Sequence, residues 1–352
     1  MTDVQETIHA VASDIDAIFT WDYARSRPAL IKLYEKAKTS QWNATTDLDW
    51  SIDVDPEKVA SELGGGGTMR FQALAEAEDS PVRHFGEKEW RQLGIVLQNS
   101  LLSQFMHGEQ GALLCTARIV ETVPWIDAKY YAATQVMDEA RHVEVFARYL
   151  DEKLGRQYGI NENLKGILDD ILADPRWDIA YLGMQIMVEG LALAAFGMMH
   201  QVTTEPLLKK LLRYVMSDEA RHVAFGVLSL QEYYRELNAA EIRERQEFAF
   251  EVAQRLQRRF AHAEMWEGMG VDPQAVYRTM DRVNPPAQQA FQQLLFSKIV
   301  PNCKKLGLLD RNGGWLRKNF TDLGVIQFED WVDTGEEYAM LDEVAKVRAA
   351  AS

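Results

Sequence analysis

The sequence has few cysteines and no long apolar run. Its two cysteines, Cys115 and Cys303, are too few and too far apart for a disulfide framework or a cysteine metal site. The acidic N-terminal stretch MTDVQETIHAVASDID lacks a basic segment followed by an apolar one, and no run of about eighteen consecutive apolar residues follows. We therefore expect a cytoplasmic protein with reduced thiols and no membrane partner.

Basic residues are also fewer than acidic ones. The chain has 38 Lys and Arg residues against 53 Asp and Glu residues, which gives a net charge of −15. The basic residues are scattered among acidic ones, whereas proteins that bind nucleic acid usually concentrate Lys and Arg on one face. Nucleic acid is therefore not expected as a partner. A hydrophobic fraction of 47% in 352 residues is enough for a substantial core.

Proline is sparse in the middle of the chain, where only Pro124 and Pro175 fall between residues 86 and 205. Apolar residues there recur at intervals of three and four, which is the period of an amphipathic helix, and almost no strand-like alternation occurs. The expected fold class is all-α. The predicted helices are residues 26–40, 87–122, 125–154, 161–173, 177–203 and 205–236.

These patterns divide the chain into three parts. They are an N-terminal arm with helices (1–85), a four-helix bundle (86–236) and accessory helices packed on the bundle (237–352). Four consecutive glycines at residues 64–67 predict a flexible loop in the arm, because glycine disfavours a helix. Helix breaks are expected at GMGVDP (268–273), NPP (284–286) and DRNGG (310–314).

The hexapeptide Asp-Glu-Ala-Arg-His-Val occurs twice, at residues 138–143 and 218–223, in a chain with seven histidines. Residues three apart lie on one face of a helix, so Glu139 and His142 can reach a common point. Glu219 and His222 can do the same. A single Glu-x-x-His pair is usually a solvated helix face, but the repetition favours a shared function.

An isolated acid in apolar surroundings precedes each hexapeptide. Glu109 lies 30 residues before Glu139, and Glu189 lies 30 residues before Glu219. A buried carboxylate without a partner is costly, so these acids need a nearby cation. A metal ion would meet that need.

Turn signals stand midway between the paired acids. Thr122 and Pro124 separate Glu109 from Glu139, and Thr203, Thr204 and Pro206 separate Glu189 from Glu219; Thr followed by Pro is typical of a helix start. Helices of roughly 15 residues in each direction, at about 1.5 Å per residue, return the chain to the same height. Two such hairpins form a four-helix bundle with four carboxylates and two imidazoles inside.

This composition is the ligand set of a two-metal carboxylate site. Oxygen ligands with one imidazole per metal favour iron or manganese over structural zinc. Buried ion pairs without a metal are the alternative. The predicted metal ligands, which would also be catalytic through the metals, are Glu109, Glu139, His142, Glu189, Glu219 and His222.

Two further acids lie beside the ligands. Metal-bound His usually donates its other ring N–H to a carboxylate, so Asp218 could hold His142 and Asp138 could hold His222 across the bundle. The alternative is that both are surface acids beside Arg141 and Arg221.

At these residues the sequence resembles the oxygen-activating branch of the ferritin-like di-iron carboxylate superfamily, which includes multicomponent monooxygenase hydroxylases, ribonucleotide reductase small subunits and di-iron N-oxygenases. The resemblance implies two iron ions, with manganese and iron as a variant, and O2 as co-substrate. It also implies electrons from a separate ferredoxin or reductase, since no flavin or nicotinamide fingerprint is visible. The stretch LYEKAKTSQWNATTDLDW resembles the arm that precedes the bundle in those enzymes, which makes Trp42 a candidate for electron transfer.

The marks of the individual subfamilies are missing. Phe146 stands where the radical-forming subunits carry Tyr, four residues after the first motif His. Leu193 stands where the hydroxylases carry Thr, and Val215 stands where arylamine N-oxygenases add a His. The chain therefore lacks the characteristic residue of each of these three subfamilies.

Apolar side chains near the ligands could line a pocket for an apolar or aromatic small molecule. Ordinary bundle core is the alternative. The candidate pocket residues are Phe105, Met106, Ala112, Phe146, Ile186, Ala192, Leu193 and Phe196.

Three functions are compatible with these residues. The first is a di-iron oxygenase or oxidase that hydroxylates, N-oxygenates or desaturates a small organic substrate. The second is a radical-generating or manganese–iron subunit that serves a partner protein. The third is iron oxidation and storage, which the length of the chain disfavours. We consider a homodimer as the assembly.

Overall fold

A computed structural model of the protein describes residues 8–258, 263–283 and 292–332. Within those ranges the chain is helical and contains no strand, so the all-α prediction is confirmed. The NPP stretch at 284–286 lies outside the described residues. The helices are α1 Pro28–Thr39, α2 Pro56–Glu76, α3 Glu87–Thr122, α4 Ile126–Tyr149, α5 Glu162–Ala173, α6 Trp177–Val202, α7 Pro206–Glu236, α8 Ala239–Arg258, α9 Ala263–Gly268, α10 Pro273–Val283, α11 Ile299–Lys305 and α12 Arg311–Asp322.

Four of these helices form the bundle that the hairpin argument predicts. α3 packs along α4, and α6 packs along α7. The two hairpins then pack on each other, with α3 against α6 and α4 against α7. The predicted ends of all four helices agree with the structure to within a few residues, because the turn signals are local.

α6 is not a regular α-helix along its whole length. A π-helical segment, Leu182–Val188, separates Trp177–Tyr181 from Glu189–Val202, so Glu189 begins the α-helical part that follows the π-helical segment. Another π-helical turn, Leu150–Leu154, continues α4. A Cβ atom at Gly226 of α7 would lie 2.6 Å from the Cβ of Gln185, so glycine permits the close approach of α7 to this segment.

α6 is long and apolar enough to cross a membrane by length and composition alone. Its most apolar window is 94% buried inside the protein. We therefore interpret α6 as the core helix of the bundle, because a helix that is buried on all sides is also apolar on all sides.

The prediction of a loop at residues 64–67 is wrong, because these glycines lie inside α2. Asp55 caps α2 by accepting hydrogen bonds from the N–H groups of Glu57 and Lys58, and Pro56 occupies its first turn. α2 also packs along α3. These interactions outweigh the cost of about 1 kcal/mol per helical glycine.

The first turn of α7 differs in detail from the predicted Thr cap. Glu205 is the N-cap residue, and its carboxylate accepts hydrogen bonds from the N–H groups of Leu207 and Leu208 at 2.7 and 2.6 Å. The Tyr149 hydroxyl donates to the same carboxylate at 2.9 Å. The cap thus also joins the end of α4 to the start of α7.

The N-terminal arm is tied to the turn between α3 and α4. The Ile18 N–H donates to the Glu121 carbonyl oxygen at 2.8 Å, and the Thr20 hydroxyl donates to the Pro124 carbonyl oxygen at 2.8 Å. α1 then packs against α4 and α7. The residues that follow α1 are thereby placed beside the centre of the bundle.

The helices that follow α7 contact the bundle and one another. α8 contacts α5 and the π-helical segment of α6, α12 packs on α8, and α11 contacts α7. The break predicted at 268–273 separates α9 from α10. The break predicted at 310–314 is present as a left-handed turn, with φ of 56°, 69° and 72° at Asn312, Gly313 and Gly314.

Candidate metal centre

The six predicted ligands meet in the interior of the four-helix bundle. Glu109 lies on α3, Glu139 and His142 on α4, Glu189 on α6, and the second Glu-x-x-His pair on α7. Every one of them is 4% exposed or less. The bundle thus removes four carboxyl groups and two imidazoles from water and places them together.

His142 lies within contact distance of three carboxylates. Its Nδ1 atom is 3.3 Å from Glu109 Oε2, 3.3 Å from Glu139 Oε2 and 3.0 Å from Glu219 Oε1. The potential ligand atoms of these four residues all lie within 4.8 Å of one another. One metal position is therefore available here.

His222 defines a second group with Glu139 and Glu189. The Nδ1 atom of His222 is 3.0 Å from Glu139 Oε1 and 3.5 Å from Glu219 Oε1. Glu139 thus belongs to both groups, and Glu219 lies near both imidazoles. Glu139 of the first hairpin thus contacts His222 of the second, and Glu219 of the second contacts His142 of the first.

The unpaired atoms in this cluster fit a cation. Both carboxylate oxygens of Glu219, Oε2 of Glu139, Oε2 of Glu189 and Nδ1 of His222 are buried without a hydrogen-bond partner. Buried polar atoms are rarely left unsatisfied, and these atoms have lone pairs that face one another. Divalent ions would satisfy them, so the donor set fits two metals.

In the absence of metal, bound protons neutralise part of the negative charge of the buried carboxyls. Burial and the neighbouring Glu219 charge raise the pKa of Glu109 and of Glu189 well above the usual range. Burial would also raise the pKa of Glu139, but the positive charges of His222 and His142 close to it bring it below its usual value. The protonated groups thus reduce the repulsion among four buried carboxyls.

Both histidines are held from behind by a carboxylate of the other hairpin. His142 Nε2 lies 3.2 Å from Asp218 Oδ2, and His222 Nε2 lies 3.3 Å from Asp138 Oδ2. Burial would lower the pKa of both imidazoles, but hydrogen bonds to Asp218 and Glu109 raise that of His142 well above its usual range. Because a carboxylate accepts the Nε2–H, Nδ1 faces the cluster.

These two aspartates are not surface acids. Both are at most 1% exposed, and Arg141 and Arg221 beside them are also buried. Each Arg pairs with the Asp three residues earlier on its own helix. Each also lies 3.4 Å from the Asp of the other hairpin. This four-membered network balances the buried aspartate charges and fixes their orientation.

Sequence reasoning missed one polar neighbour of the cluster. The side-chain Nε2 of Gln135 donates to Glu139 Oε1 at 2.9 Å and to Glu189 Oε1 at 3.0 Å. Gln135 is fully buried and lies one turn before Glu139 on α4. The signal in the sequence is the spacing of four between Gln135 and Glu139, which puts both side chains on one face of α4.

The arm brings Trp42 to the same network. Its indole Nε1–H donates to Asp218 Oδ2 at 2.7 Å, and its ring lies 6.5 Å from the ring of His142. Gln41, the preceding residue, contacts Arg141 and donates to Asp138 Oδ1 at 3.3 Å. Trp42 is therefore hydrogen-bonded to the carboxylate that holds one candidate ligand.

The predicted pocket residues form a packed cluster on one side of the centre. The rings of Phe105 and Phe196 lie 4.6 Å apart, and those of Phe146 and Phe196 lie 5.6 Å apart. Met106, Ala112, Ile186 and Leu193 are buried as well, and Ala192 is half-buried. A substrate could enter here only if one of these side chains moved, so the pocket remains a prediction.

No family model matches this chain, and no curated protein matches it. Several solved structures do. One is a point mutant of R2-like ligand-binding oxidase with an anaerobically reconstituted Mn/Fe cofactor, which matches with a TM-score of 0.50 at 19% identity over 78% of this chain and 92% of that chain. A second mutant of the same oxidase matches with a TM-score of 0.49 at 20% identity over 80% and 94% of the two chains.

The first of these similarities shows a shared fold and, at this identity, nothing more. The chain therefore shares the helical fold of that oxidase, and a buried group of Glu and His side chains that could hold metal ions lies inside its bundle. The predicted fold class is confirmed. The similarity spans nearly the whole length of the matched chain.

Proposed function

We propose that the protein is a di-metal oxidase or oxygenase that uses O2 to oxidise a small organic molecule. The observation that carries this proposal is that four carboxyls and two imidazoles converge inside the bundle, and that several of their buried atoms lack a hydrogen-bond partner. Asp218 and Asp138 hold the two histidines from behind, as carboxylates usually do for histidines that bind a metal. The protein also shares its fold with an oxidase that carries a Mn/Fe cofactor.

Two ions of iron, or one of manganese and one of iron as in the matched oxidase, would supply the redox chemistry with O2. Glu109 and His142 would hold one ion, and Glu189 and His222 the other. Glu139 and Glu219, which lie near both histidines, would complete the ligand set. The buried bundle interior would exclude bulk water and so protect reactive species from side reactions.

A monooxygenase reaction places one oxygen atom of O2 in the substrate and reduces the other to water with two electrons and two protons. We propose that the electrons come from a separate carrier protein and that the substrate is apolar or aromatic. The packed rings of Phe105, Phe146 and Phe196 favour such a substrate, provided that one ring swings aside. A homodimer is the assembly that we propose.

The test is reconstitution of the metal-free protein with Fe(II), with Mn(II), and with both together. Metal content is measured first, and O2 consumption by the loaded protein with a chemical reductant second. The proposal expects about two ions per chain and O2 uptake that the double variant Glu139→Ala, Glu219→Ala lacks. A protein that binds no transition metal would refute it, and growth of a large iron mineral would favour storage instead.

A stable radical detected by electron paramagnetic resonance would favour the radical-generating alternative. Phe146 argues against a tyrosyl radical at that position, because a phenyl ring has no hydroxyl proton to lose. The variant Phe146→Tyr tests whether the site could support one. Its matched control is Phe225→Tyr, a buried ring of α7 that packs between Tyr131 and Tyr181.

A further inference from the structure

One stretch of α7 is cationic in a chain that is otherwise strongly acidic. Residues 206–217 include Lys209, Lys210 and Arg213 and contain no Asp or Glu, whereas the whole chain carries −15. Lys210 and Arg213 are exposed. In the part of the chain that the structure describes, no carboxylate forms an ion pair within 4 Å of either cation.

Asp49, an acid whose pKa Lys210 influences, already accepts other hydrogen bonds. The pKa of Asp49 is below its usual value mainly because the hydroxyl and the N–H of Ser51 donate to it, and Lys210 contributes less. Lys209 is also occupied, since its ammonium donates to the Thr203 carbonyl oxygen at 3.1 Å. The two remaining cations are therefore available to a negatively charged surface of another molecule.

Both cations lie over the ring of one tyrosine. The Lys210 Nζ atom is 5.9 Å from the ring centroid of Tyr214, and the Arg213 Cζ atom is 5.5 Å from it. Tyr214 is half-buried, so its ring connects the surface with the interior. On the inner side it stacks on Trp42, with ring centroids 5.0 Å apart and an interplanar angle of 11°.

The stacked pair continues directly to the candidate metal centre. Trp42 donates to Asp218 at 2.7 Å, and Asp218 lies 3.2 Å from His142. A continuous series of contacts thus runs from a cationic surface to a candidate metal ligand. Aromatic rings in stacked contact are suited to one-electron transfer because their delocalised orbitals overlap.

We propose that the α7 surface formed by Lys210, Arg213 and Tyr214 is the docking site of a small acidic iron–sulfur electron carrier, and that Tyr214 is the outer end of the electron path. This inference rests on the proposed function. In each encounter the reduced carrier would lose one electron, which would pass through Tyr214 and Trp42 to the metal centre held by the six ligands, and no covalent bond would form or break. Two encounters supply the two electrons of a monooxygenase cycle.

Charge complementarity explains why the carrier should be acidic. A protein with a net charge of −15 repels an acidic partner over most of its surface, so a local cationic patch selects both the partner and its orientation. Redox encounters of this kind use small interfaces and depend on electrostatic steering. Their affinity falls with ionic strength because exposed charges are screened over about 10 Å at 0.1 M salt.

Docking is tested on the metal-free protein, with a plant-type [2Fe–2S] ferredoxin as the acidic probe. The double variant Lys210→Glu, Arg213→Glu should raise Kd by roughly tenfold or more at low ionic strength. Its matched control, Arg278→Glu with Lys318→Glu, makes the same change in net charge on exposed residues of α10 and α12 and should bind like the parent protein. Equal weakening in both variants, or no binding by the parent, overturns the docking site.

The electron path is tested on metal-loaded protein by stopped-flow reduction. At saturating ferredoxin, where a change in Kd no longer limits the rate, Tyr214→Leu should slow reduction by ferredoxin at least severalfold, and Tyr214→Trp should restore the rate. Reduction by dithionite should change little in all three proteins. A Tyr214→Leu variant that is reduced by ferredoxin at the parent rate refutes the path. Failure to take up metal would instead refute the proposed function. The docking experiment would be unaffected, because it uses metal-free protein.

Discussion

His142 Nε2 lies 3.2 Å from the carboxylate of Asp218, although the two residues belong to different hairpins of the bundle. The reciprocal contact joins His222 to Asp138 at 3.3 Å. Each hairpin therefore supplies the group that orients the other's imidazole. This exchange explains why the motif repeats the aspartate together with the glutamate and the histidine.

Asp218→Asn should weaken metal binding by about 10- to 100-fold, because the amide no longer stabilises the imidazole in the form that presents Nδ1. Competition titration against a chromophoric chelator measures the affinity. Asp178→Asn is the control, since Asp178 is equally buried and pairs with Arg245 at 2.9 Å away from the six ligands. If both variants bind metal like the parent, the orienting role assigned to Asp218 is wrong.

The position of Glu139 in both groups predicts unequal effects of ligand removal. Glu189→Ala should lower the metal content by about one ion per chain, whereas Glu139→Ala should lower the occupancy of both positions. Elemental analysis after desalting gives the content, and circular dichroism checks the fold. Glu144→Ala, an exposed glutamate on the same helix, should retain the full content. Equal losses in the first two variants would contradict a role of Glu139 in both metal positions.

Metal uptake should release protons. The pKa values of Glu109, Glu189, His142 and His222 are raised in the metal-free protein, so at neutral pH some of these groups carry protons that a metal must displace. The apparent affinity should therefore rise with pH. Calorimetric titration in buffers with different ionisation enthalpies counts the released protons. A heat that is independent of the buffer would contradict the protonated state described here.

The arm should detach at low pH through Asp127. This buried carboxylate accepts N–H hydrogen bonds from Ser26 and Arg27 at 3.0 Å and pairs with Arg25. Burial would raise the pKa of Asp127, but these contacts lower it below 3.8. Since the folded pKa is the lower one, the stabilisation is present above about pH 4 and is lost as the pH falls through the folded value.

Asp127→Asn should mimic this loss at neutral pH by about 1 to 2 kcal/mol, because an amide accepts these bonds less strongly. Hydrogen exchange of residues 8–27 measures the release of the arm. Asp22→Asn, on an exposed aspartate of the same arm, is the control. Unchanged exchange in Asp127→Asn would show that the arm is held by its other contacts.

Several features of the fold could be predicted because they are local. The Thr and Pro residues ahead of α4 and α7 mark the hairpin turns, and equal spacing from each turn puts Glu109 level with Glu139 and Glu189 level with Glu219. The Glu-x-x-His step then requires only a helix. In contrast, the loop predicted at residues 64–67 is part of a helix, because the packing of α2 on α3 outweighs the preference of glycine for non-helical backbone.

Sequence by itself determined the all-α class, the two hairpins and the identity of the six converging side chains, because helical period and turn chemistry depend on near neighbours. Only the tertiary structure decided that Glu139 lies between both histidines, that a π-helical segment precedes Glu189, and that Trp42 and Tyr214 stack beside the centre. These relationships join residues from different helices. They follow from the way whole elements pack, and no spacing within one helix encodes that packing.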